Sequence, residues 1–186
     1  MENKGLYMKN LLIIGVPRSG KSTLANMMSN KCGFDLISID AIVATFSKIF
    51  PELGIHLEPE KSEPILSKFI FEYMRQLHQE NPTRKYVVEG CHLSPETATK
   101  NICSETCDIV CLGYPNLTPE QFLVRARKTD WAFAKDNNEI LQMGEYFIKQ
   151  SKQYKKTCDQ HGIKFIDTSD DIEITLTEYI KQTYGE

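Results

Sequence analysis

The sequence predicts a single α/β domain in which a parallel β-sheet carries helices on both faces. Three observations lead to this prediction. Short apolar runs of strand length alternate with segments of helical periodicity, and a glycine-rich loop directly follows the first run. The 186 residues are 41% hydrophobic and 25% charged, which suits one domain with a full core, and no repeat or linker divides residues 1–186.

The apolar runs predict five strands, at residues 10–16, 34–39, 85–90, 108–114 and 164–169. Each run is almost continuously apolar, as expected for a strand that is buried on both faces of a parallel sheet. Parallel strands need crossover connections, and the segments between the runs have the length and periodicity of helices. The predicted architecture is therefore a three-layer, five-stranded parallel sheet.

The segments between the runs carry helix signals. An apolar stripe at three- and four-residue spacing predicts a helix over 62–80, with Ser62 as a candidate cap. The stretches "SPET" (94–97) and "TPEQ" (118–121) each place a hydroxyl cap before a proline at the first helical position, and Gln121 completes a capping box. Further stripes predict a long helix around 140–154 and a last helix around 172–180.

Residues 15–22, "GVPRSGKS", match the pattern G-x-x-x-x-G-K-[ST], which is typical of a phosphate-binding loop between a strand and a helix. Gly15 and Gly20 allow the backbone to curl around an anion, and the helix that begins near Lys21 adds its positive dipole end. Lys21 is predicted to contact the β- and γ-phosphates of a nucleotide, and the Ser22 hydroxyl to bind Mg²⁺. The predicted nucleotide-binding residues are Gly15, Val16, Pro17, Arg18, Ser19, Gly20, Lys21, Ser22 and Thr23.

Two carboxylates follow the second and third predicted strands, at the sheet edge where the glycine loop lies. Asp40 is suited to accept a proton from an acceptor hydroxyl during phosphoryl transfer, and it is equally suited to cap the helix that follows. Glu89 is suited to hold Mg²⁺ or to orient the acceptor, and Gly90 would let the substrate approach closely. His92 is a candidate contact for an anionic acceptor, although a lone histidine after a strand is more often structural.

Arg125, Arg127 and Lys128 crowd the end of the helix that "TPEQ" begins. On a lid at about 125–139, the two arginines would stabilise the charge that spreads over the phosphoryl oxygens in the transition state, and closure would exclude water. A solvated helix face is the alternative interpretation of such a charge run. Trp131 would pack this lid onto the domain or onto a ligand.

The acceptor is predicted to bind to the region at about 41–80, which includes a loop rich in Pro and Glu. His56 and Arg75 are candidate ligands there. Arg18 occupies a variable position of the glycine loop, from which its side chain would face the transferred phosphate.

The cysteines and the charge balance exclude several other function classes. Cys103, Cys107 and Cys111 are spaced by four, which raises the hypothesis of a zinc site, but burial as small apolar side chains fits a strand better. The net charge of −3 argues against a broad nucleic-acid or membrane surface. The first apolar run is too short for a signal peptide or a membrane span, so a cytoplasmic protein is expected.

The glycine loop, the carboxylates and the lid arginines together resemble the small P-loop kinases of the adenylate-kinase and shikimate-kinase type, within the P-loop NTPase superfamily. The stretch "VVEGCHLSP" (87–95) is also similar to the third-strand motif of 2-phosphoglycerate kinases and of some uridine-kinase-like proteins. The resemblance implies the strand order 2-3-1-4-5, the use of ATP and Mg²⁺, and a nucleotide base at "DTSDD" (167–171). No arginine follows Arg127, and the motifs that identify particular acceptors are absent, so the acceptor stays open.

The leading hypothesis is thus an ATP-dependent kinase that phosphorylates a hydroxyl or phosphate of a small metabolite. Its expected catalytic residues are Lys21, Asp40, Glu89, Arg125 and Arg127, and its expected metal ligands are Ser22 and Glu89. The protein would act as a monomer or homodimer. The alternatives are a nucleotide-binding switch or regulatory ATPase that acts through a protein partner, and a kinase of nucleic-acid ends.

Overall fold

The computed structural model describes residues 9–55, 59–102, 105–128 and 134–185, with the side chains of 59–62 excepted. Five parallel strands form one sheet in the order β2-β3-β1-β4-β5. They are β1 (Asn10–Gly15), β2 (Asp35–Ser38), β3 (Tyr86–Glu89), β4 (Cys107–Gly113) and β5 (Lys164–Asp167). The prediction of five parallel strands is confirmed, as is the strand order that the resemblance implied.

Seven α-helices connect or follow the strands in the described part of the chain, together with a short 3-10 helix at Pro51–Leu53. They are α1 (Lys21–Cys32), α2 (Ile39–Ile49), α3 (Pro59–Glu80), α4 (Pro95–Asn101), α5 (Pro119–Arg127), α6 (Asn137–His161) and α7 (Ile172–Tyr184). Among the described helices, none is both long and apolar enough to cross a membrane.

The helix starts test the capping predictions directly. The hydroxyl of Ser94 caps α4, and Thr118 forms the predicted capping box of α5 with Gln121. One prediction, the cap role of Ser62, and one alternative interpretation, the cap role of Asp40, were wrong. The helix α3 begins at Pro59, so Ser62 lies inside it, and α2 is capped by Ser38, which accepts from the Ala41 N–H and places Asp40 in the first turn instead.

The central strands β1 and β3 are buried on both faces, as their apolar runs predicted. The same prediction was wrong for β2, which is exposed at Asp35 and Leu36, and for β5, which is only partly buried, because each of these edge strands pairs with a single neighbour. Every residue of β1 is buried, and alternate side chains point to opposite layers. Leu12 and Ile14 pack with residues of α2 and α3, whereas Leu11 and Ile13 pack with residues of α1 and α7. A third apolar cluster, which includes Tyr114 and Phe122, lies between α5 and α6. The packing fixes the carboxyl edge of the sheet, where the loops that carry polar side chains begin.

The described cysteines of the zinc hypothesis lie inside the core. Cys107 and Cys111 are both on β4 and belong to the same buried cluster, so they point to the same face, as expected for small apolar side chains. Four residues of strand separate them by about 13 Å, too far for one ion. Cys103 lies outside the described residues.

Candidate active site

The glycine loop at residues 15–22 curls tightly between β1 and α1. Gly15 has φ 138° and Gly20 has φ 93°, in the region that favours glycine. A Cβ atom on Gly15 would lie 2.0 Å from the carbonyl oxygen of Leu112 on β4. Arg18 has φ 63° and is the non-glycine residue with positive φ in the described chain. Backbone strain of this kind is tolerated where the surrounding structure holds it for a function.

Lys21 lies inside this loop rather than in solvent. It is 7% exposed, and its Nζ donates to the carbonyl oxygen of Val16 at 2.8 Å. Ser19 is buried beside it, and its hydroxyl donates to the same carbonyl at 2.8 Å. The ammonium is therefore held at the concave side of the loop, where the first N–H groups of α1 add partial positive charge. This is the arrangement that binds an anion.

Ser22 and Glu89, the two predicted metal ligands, are brought together by the sheet. Glu89 is the last residue of β3 and pairs with Ile13 of the neighbouring β1, so its side chain lies beside the start of α1. The Ser22 hydroxyl donates to Glu89 Oε2 at 3.1 Å. Glu89 is only 4% exposed, and a buried carboxylate is costly without a compensating cation. A hydroxyl and a carboxylate at this distance are an oxygen donor set that fits Mg²⁺.

Asp40 lies at the same edge and contacts the residues that follow β3. Its Oδ1 accepts from His92 Nδ1 at 3.1 Å and lies 3.8 Å from the thiol of Cys91. Gly90 permits this approach, because a Cβ there would lie 2.6 Å from Ile39 Cβ and 3.3 Å from Asp40 Oδ1. The side chain of Asp40 is 54% exposed, so the carboxylate is open to ligands although these hydrogen bonds hold it.

The pKa shifts of Asp40 and His92 favour the charged form of both side chains. Burial lowers the pKa of His92, but its hydrogen bonds to Asp40 and Cys91 and the charges of these groups outweigh burial and raise the pKa to about 9. For Asp40, burial acts to raise the pKa, but the hydrogen bond from His92 and the positive charges of His92 and Lys21 lower it below its usual value. Asp40 is therefore ionised at neutral pH.

Asp40, Cys91 and His92 also form the one group of three potential metal donors in the described residues, with donor atoms within 4.8 Å of one another. Two of the three atoms already share a hydrogen bond, which accounts for their closeness. The oxygen pair of Ser22 and Glu89 is the better match for a cation that accompanies nucleotide phosphates.

Arg125 contacts the loop between β5 and α7. One of its terminal nitrogens donates to the carbonyl oxygen of Thr168 at 2.8 Å, and to those of Ser169 and Asp170 at 3.3 Å each. Its guanidinium carbon lies 5.2 Å from the centre of the Tyr114 ring, in a cation–π contact. Arg125 thus borders the segment that the resemblance assigns to the nucleotide base, and contact with the transferred phosphoryl group stays a prediction.

Tyr114 and Thr168 connect this region to the glycine loop. The phenol of Tyr114 donates to the carbonyl oxygen of Pro17 at 2.6 Å, and burial raises its pKa well above the usual value, so it stays a donor. The hydroxyl of Thr168 donates to the carbonyl oxygen of Ser19 at 3.0 Å. Sequence reasoning missed Tyr114, and it included Thr168 only as part of the stretch 167–171, although each residue directly follows a strand of the sheet, which was an available signal.

The remaining predicted residues are distributed more widely. Arg127 donates to the carbonyl oxygen of Lys135 and to Asn137 Oδ1, both at 2.8 Å, and so links the end of α5 to the start of α6. Arg18 has a buried Nε without a hydrogen-bond partner among the described residues. Arg75 is exposed and bonds to Glu72 at 2.8 Å. Trp131 and His56 lie outside the described residues.

Sequence comparison with known proteins gives one partial match. No protein-family model matches the chain. A shikimate kinase from Clostridium botulinum is 36% identical over 67 residues, which is 33% of this chain and 39% of that protein. The match thus spans well under half of the relative's length.

Solved structures match over almost the whole chain. A sugar kinase from a Janibacter species superposes with a TM-score of 0.57 at 17% identity, covering 94% of this chain and 93% of that one. A gluconokinase from Sinorhizobium meliloti gives 0.54 at 16% identity, with 96% and 97% covered, and a shikimate kinase from Bacteroides thetaiotaomicron gives 0.54 at 17%, with 94% and 97% covered. The chain has the fold of the small P-loop kinases, and the predicted resemblance is confirmed at the level of the fold.

Proposed function

We propose that the protein is an ATP-dependent phosphotransferase that moves the γ-phosphoryl group to a hydroxyl of a small metabolite. The observation that carries the proposal is the 3.1 Å contact between Ser22 and the buried Glu89, with Ser22 next in sequence to Lys21, whose ammonium is held inside the glycine loop. An anion site, an oxygen pair suited to Mg²⁺ and an open carboxylate then share one sheet edge. The names of the kinases with this fold and of the partial relative agree with this class.

The glycine loop supplies most of the nucleotide contacts in this proposal. Backbone N–H groups of residues 15–22 hold the phosphates, and Lys21 moves from the Val16 carbonyl to the β- and γ-phosphates. Ser22 and Glu89 would hold Mg²⁺, and the bound ion would neutralise charge on the phosphates. Arg125, Tyr114 and the 167–171 loop border the nucleotide base. Arg127 and the lid at about 125–139 are proposed to limit the access of water.

Asp40 favours a hydroxyl over a phosphate as the acceptor. Its ionised carboxylate accepts a hydrogen bond from a hydroxyl and repels a phosphate dianion. The arginine within the proposed acceptor region at 41–80, Arg75, pairs with Glu72, and Arg84 just beyond the region pairs with Asp35. In a transition state with little proton transfer, orientation of the hydroxyl is the main contribution that Asp40 makes.

The test is ADP release from ATP and Mg²⁺ across a panel of sugars, sugar acids, cyclic hydroxy acids, nucleosides and nucleoside monophosphates. We expect release to rise with one class of hydroxyl compound and to fall at least 1,000-fold in Lys21→Ala, because the ammonium stabilises charge that develops in the transition state. Lys31→Ala, an exposed lysine at the far end of α1, is the matched control and should behave as the wild type.

Two outcomes would contradict the proposal. Full activity in a folded Lys21→Ala variant would remove the assigned role of the loop. ATP binding without release above background for any acceptor would favour the nucleotide-binding switch, and the search would turn to protein partners.

A further inference from the structure

His92 is a buried histidine whose described side-chain contacts involve Asp40 and its neighbour Cys91. It is 4% exposed and follows β3 by three residues, whereas Asp40 belongs to α2, so the bond joins two elements across the sheet edge. We infer that His92 is the positioning residue of the site: it fixes one carboxylate oxygen of Asp40 so that the other faces the acceptor hydroxyl. This inference rests on the proposed phosphotransferase function.

The hydrogen-bond pattern at Asp40 supports the assignment. The His92 Nδ1–H and the Cys91 thiol both approach Oδ1, at 3.1 and 3.8 Å. The Cys91 backbone also hydrogen-bonds to the carboxylate. A carboxylate that is 54% exposed would otherwise exchange between rotamers in water. These donors limit this freedom, and the exposed side of the carboxylate is left for a ligand.

The other nitrogen of His92 shows why the residue is not explained by packing alone. Its Nε2 is buried and has no hydrogen-bond partner among the described residues. An unpaired buried polar atom destabilises the folded protein, so an apolar side chain of similar size would serve a purely structural role at lower cost. The hydrogen bond that His92 makes to Asp40 is therefore the reason for a histidine at this position.

The backbone around Gly90 and Ile39 fixes the contact between Asp40 and His92. The close approach of the start of α2 to the residue after β3 leaves no room for a Cβ on Gly90, which would lie 2.6 Å from Ile39 Cβ. Asp40 and Cys91 are the next residues along the two elements. Their backbones are thus fixed relative to each other, and His92 completes the arrangement at the side-chain level.

The experiment compares two substitutions of His92 by acceptor-dependent ADP release. In His92→Asn the amide nitrogen takes the place of Nδ1 and keeps the donor, whereas His92→Leu removes it. We expect kcat to fall about 100-fold in His92→Leu, since misplacement of a reacting group by about 1 Å has this effect, and by less than 10-fold in His92→Asn. The KM for ATP should be unchanged in both, and His161→Leu, an exposed histidine at the end of α6, is the control.

A double-mutant cycle separates positioning from structural damage. If His92 acts through Asp40, His92→Leu should cost little further kcat in an Asp40→Asn background. Equal losses in both backgrounds, or equal losses in His92→Asn and His92→Leu, would overturn the inference.

A readout without substrate keeps the inference distinct from the proposed function. In NMR spectra of the wild type, the Nδ1–H proton of His92 should be protected from exchange, and Asp40→Ala, which removes the acceptor oxygen, should remove this protection. A signal that does not respond to Asp40→Ala overturns the positioning role whatever the activity. A responsive signal in a protein that phosphorylates no acceptor would instead contradict the proposed function, while the fixed carboxylate stands.

Discussion

Replacing Arg125 distinguishes two roles for an arginine at the end of α5. On a catalytic lid, its loss would lower turnover and leave the stability of the fold nearly unchanged. In the structure it donates one 2.8 Å hydrogen bond and two longer ones of 3.3 Å to the 168–170 carbonyls, and its guanidinium packs against Tyr114. These contacts predict a loss of stability in Arg125→Ala.

The magnitude follows from the separate contacts. A short hydrogen bond from a charged donor contributes about 1.5 kcal/mol, and the cation–π contact adds about 0.5 to 1 kcal/mol at a half-buried site. We therefore expect Arg125→Ala to lower the free energy of unfolding by about 2 kcal/mol, which corresponds to a melting temperature about 4 to 8 °C lower for a chain of this length. Affinity for ATP should fall as well, because the 167–171 loop loses its anchor.

Urea denaturation followed by circular dichroism gives the free energy of unfolding, and titration calorimetry gives the Kd for ATP. Lys128→Ala, an exposed cation one residue beyond α5, is the matched control and should change stability by less than about 0.5 kcal/mol. An Arg125→Ala variant with wild-type stability and ATP affinity but much reduced turnover would refute the anchoring role and return Arg125 to the catalytic lid.

Two further predictions concern the metal pair and the charge pair. Glu89→Gln keeps the size of the side chain but removes its charge, so the Mg²⁺ concentration for half-maximal ADP release should rise about 10-fold or more in a magnesium titration; an unchanged titration would exclude Glu89 as a ligand. The raised pKa of His92, about 9 against 6.5, means that its stabilisation is complete below pH 6.5 and is lost as pH rises through 9. The lowered pKa of Asp40 adds stability that is lost only in acid, below its usual 3.8. Because Asp40 is half-exposed, we expect a loss of about 1 to 2 kcal/mol between pH 6.5 and 9.5 in urea denaturation. Asp40→Asn should flatten this slope, and an equal slope in both proteins would contradict the pairing.

The sequence predicted those parts of the fold and site that depend on local pattern. Apolar runs predicted all five strands, although the edge strands β2 and β5 are only partly buried. The carboxyl ends of parallel strands and the loops that follow them meet at one sheet edge, which is why Ser22 and Glu89 could be paired in advance. The alternative interpretation of Asp40 as a helix cap failed for a local reason. Ser38 and Asp40 are both good cap residues, and the choice depends on where α2 begins, which helix signals define only to within a residue or two.

Contacts between distant segments could not be predicted in this way. Tyr114 and Pro17 are 97 residues apart, and Thr168 and Ser19 are 149 residues apart, so no periodicity or spacing relates them. These two hydrogen bonds hold the glycine loop from the side of β4 and β5, while Gly15 packs against the Leu112 carbonyl with no space for a side chain. The loop, with Arg18 at φ 63°, is therefore fixed by the rest of the fold. A phosphate that binds to a loop already held in shape does not bear the conformational entropy cost of ordering it, so affinity for the nucleotide depends on residues that never touch the phosphate.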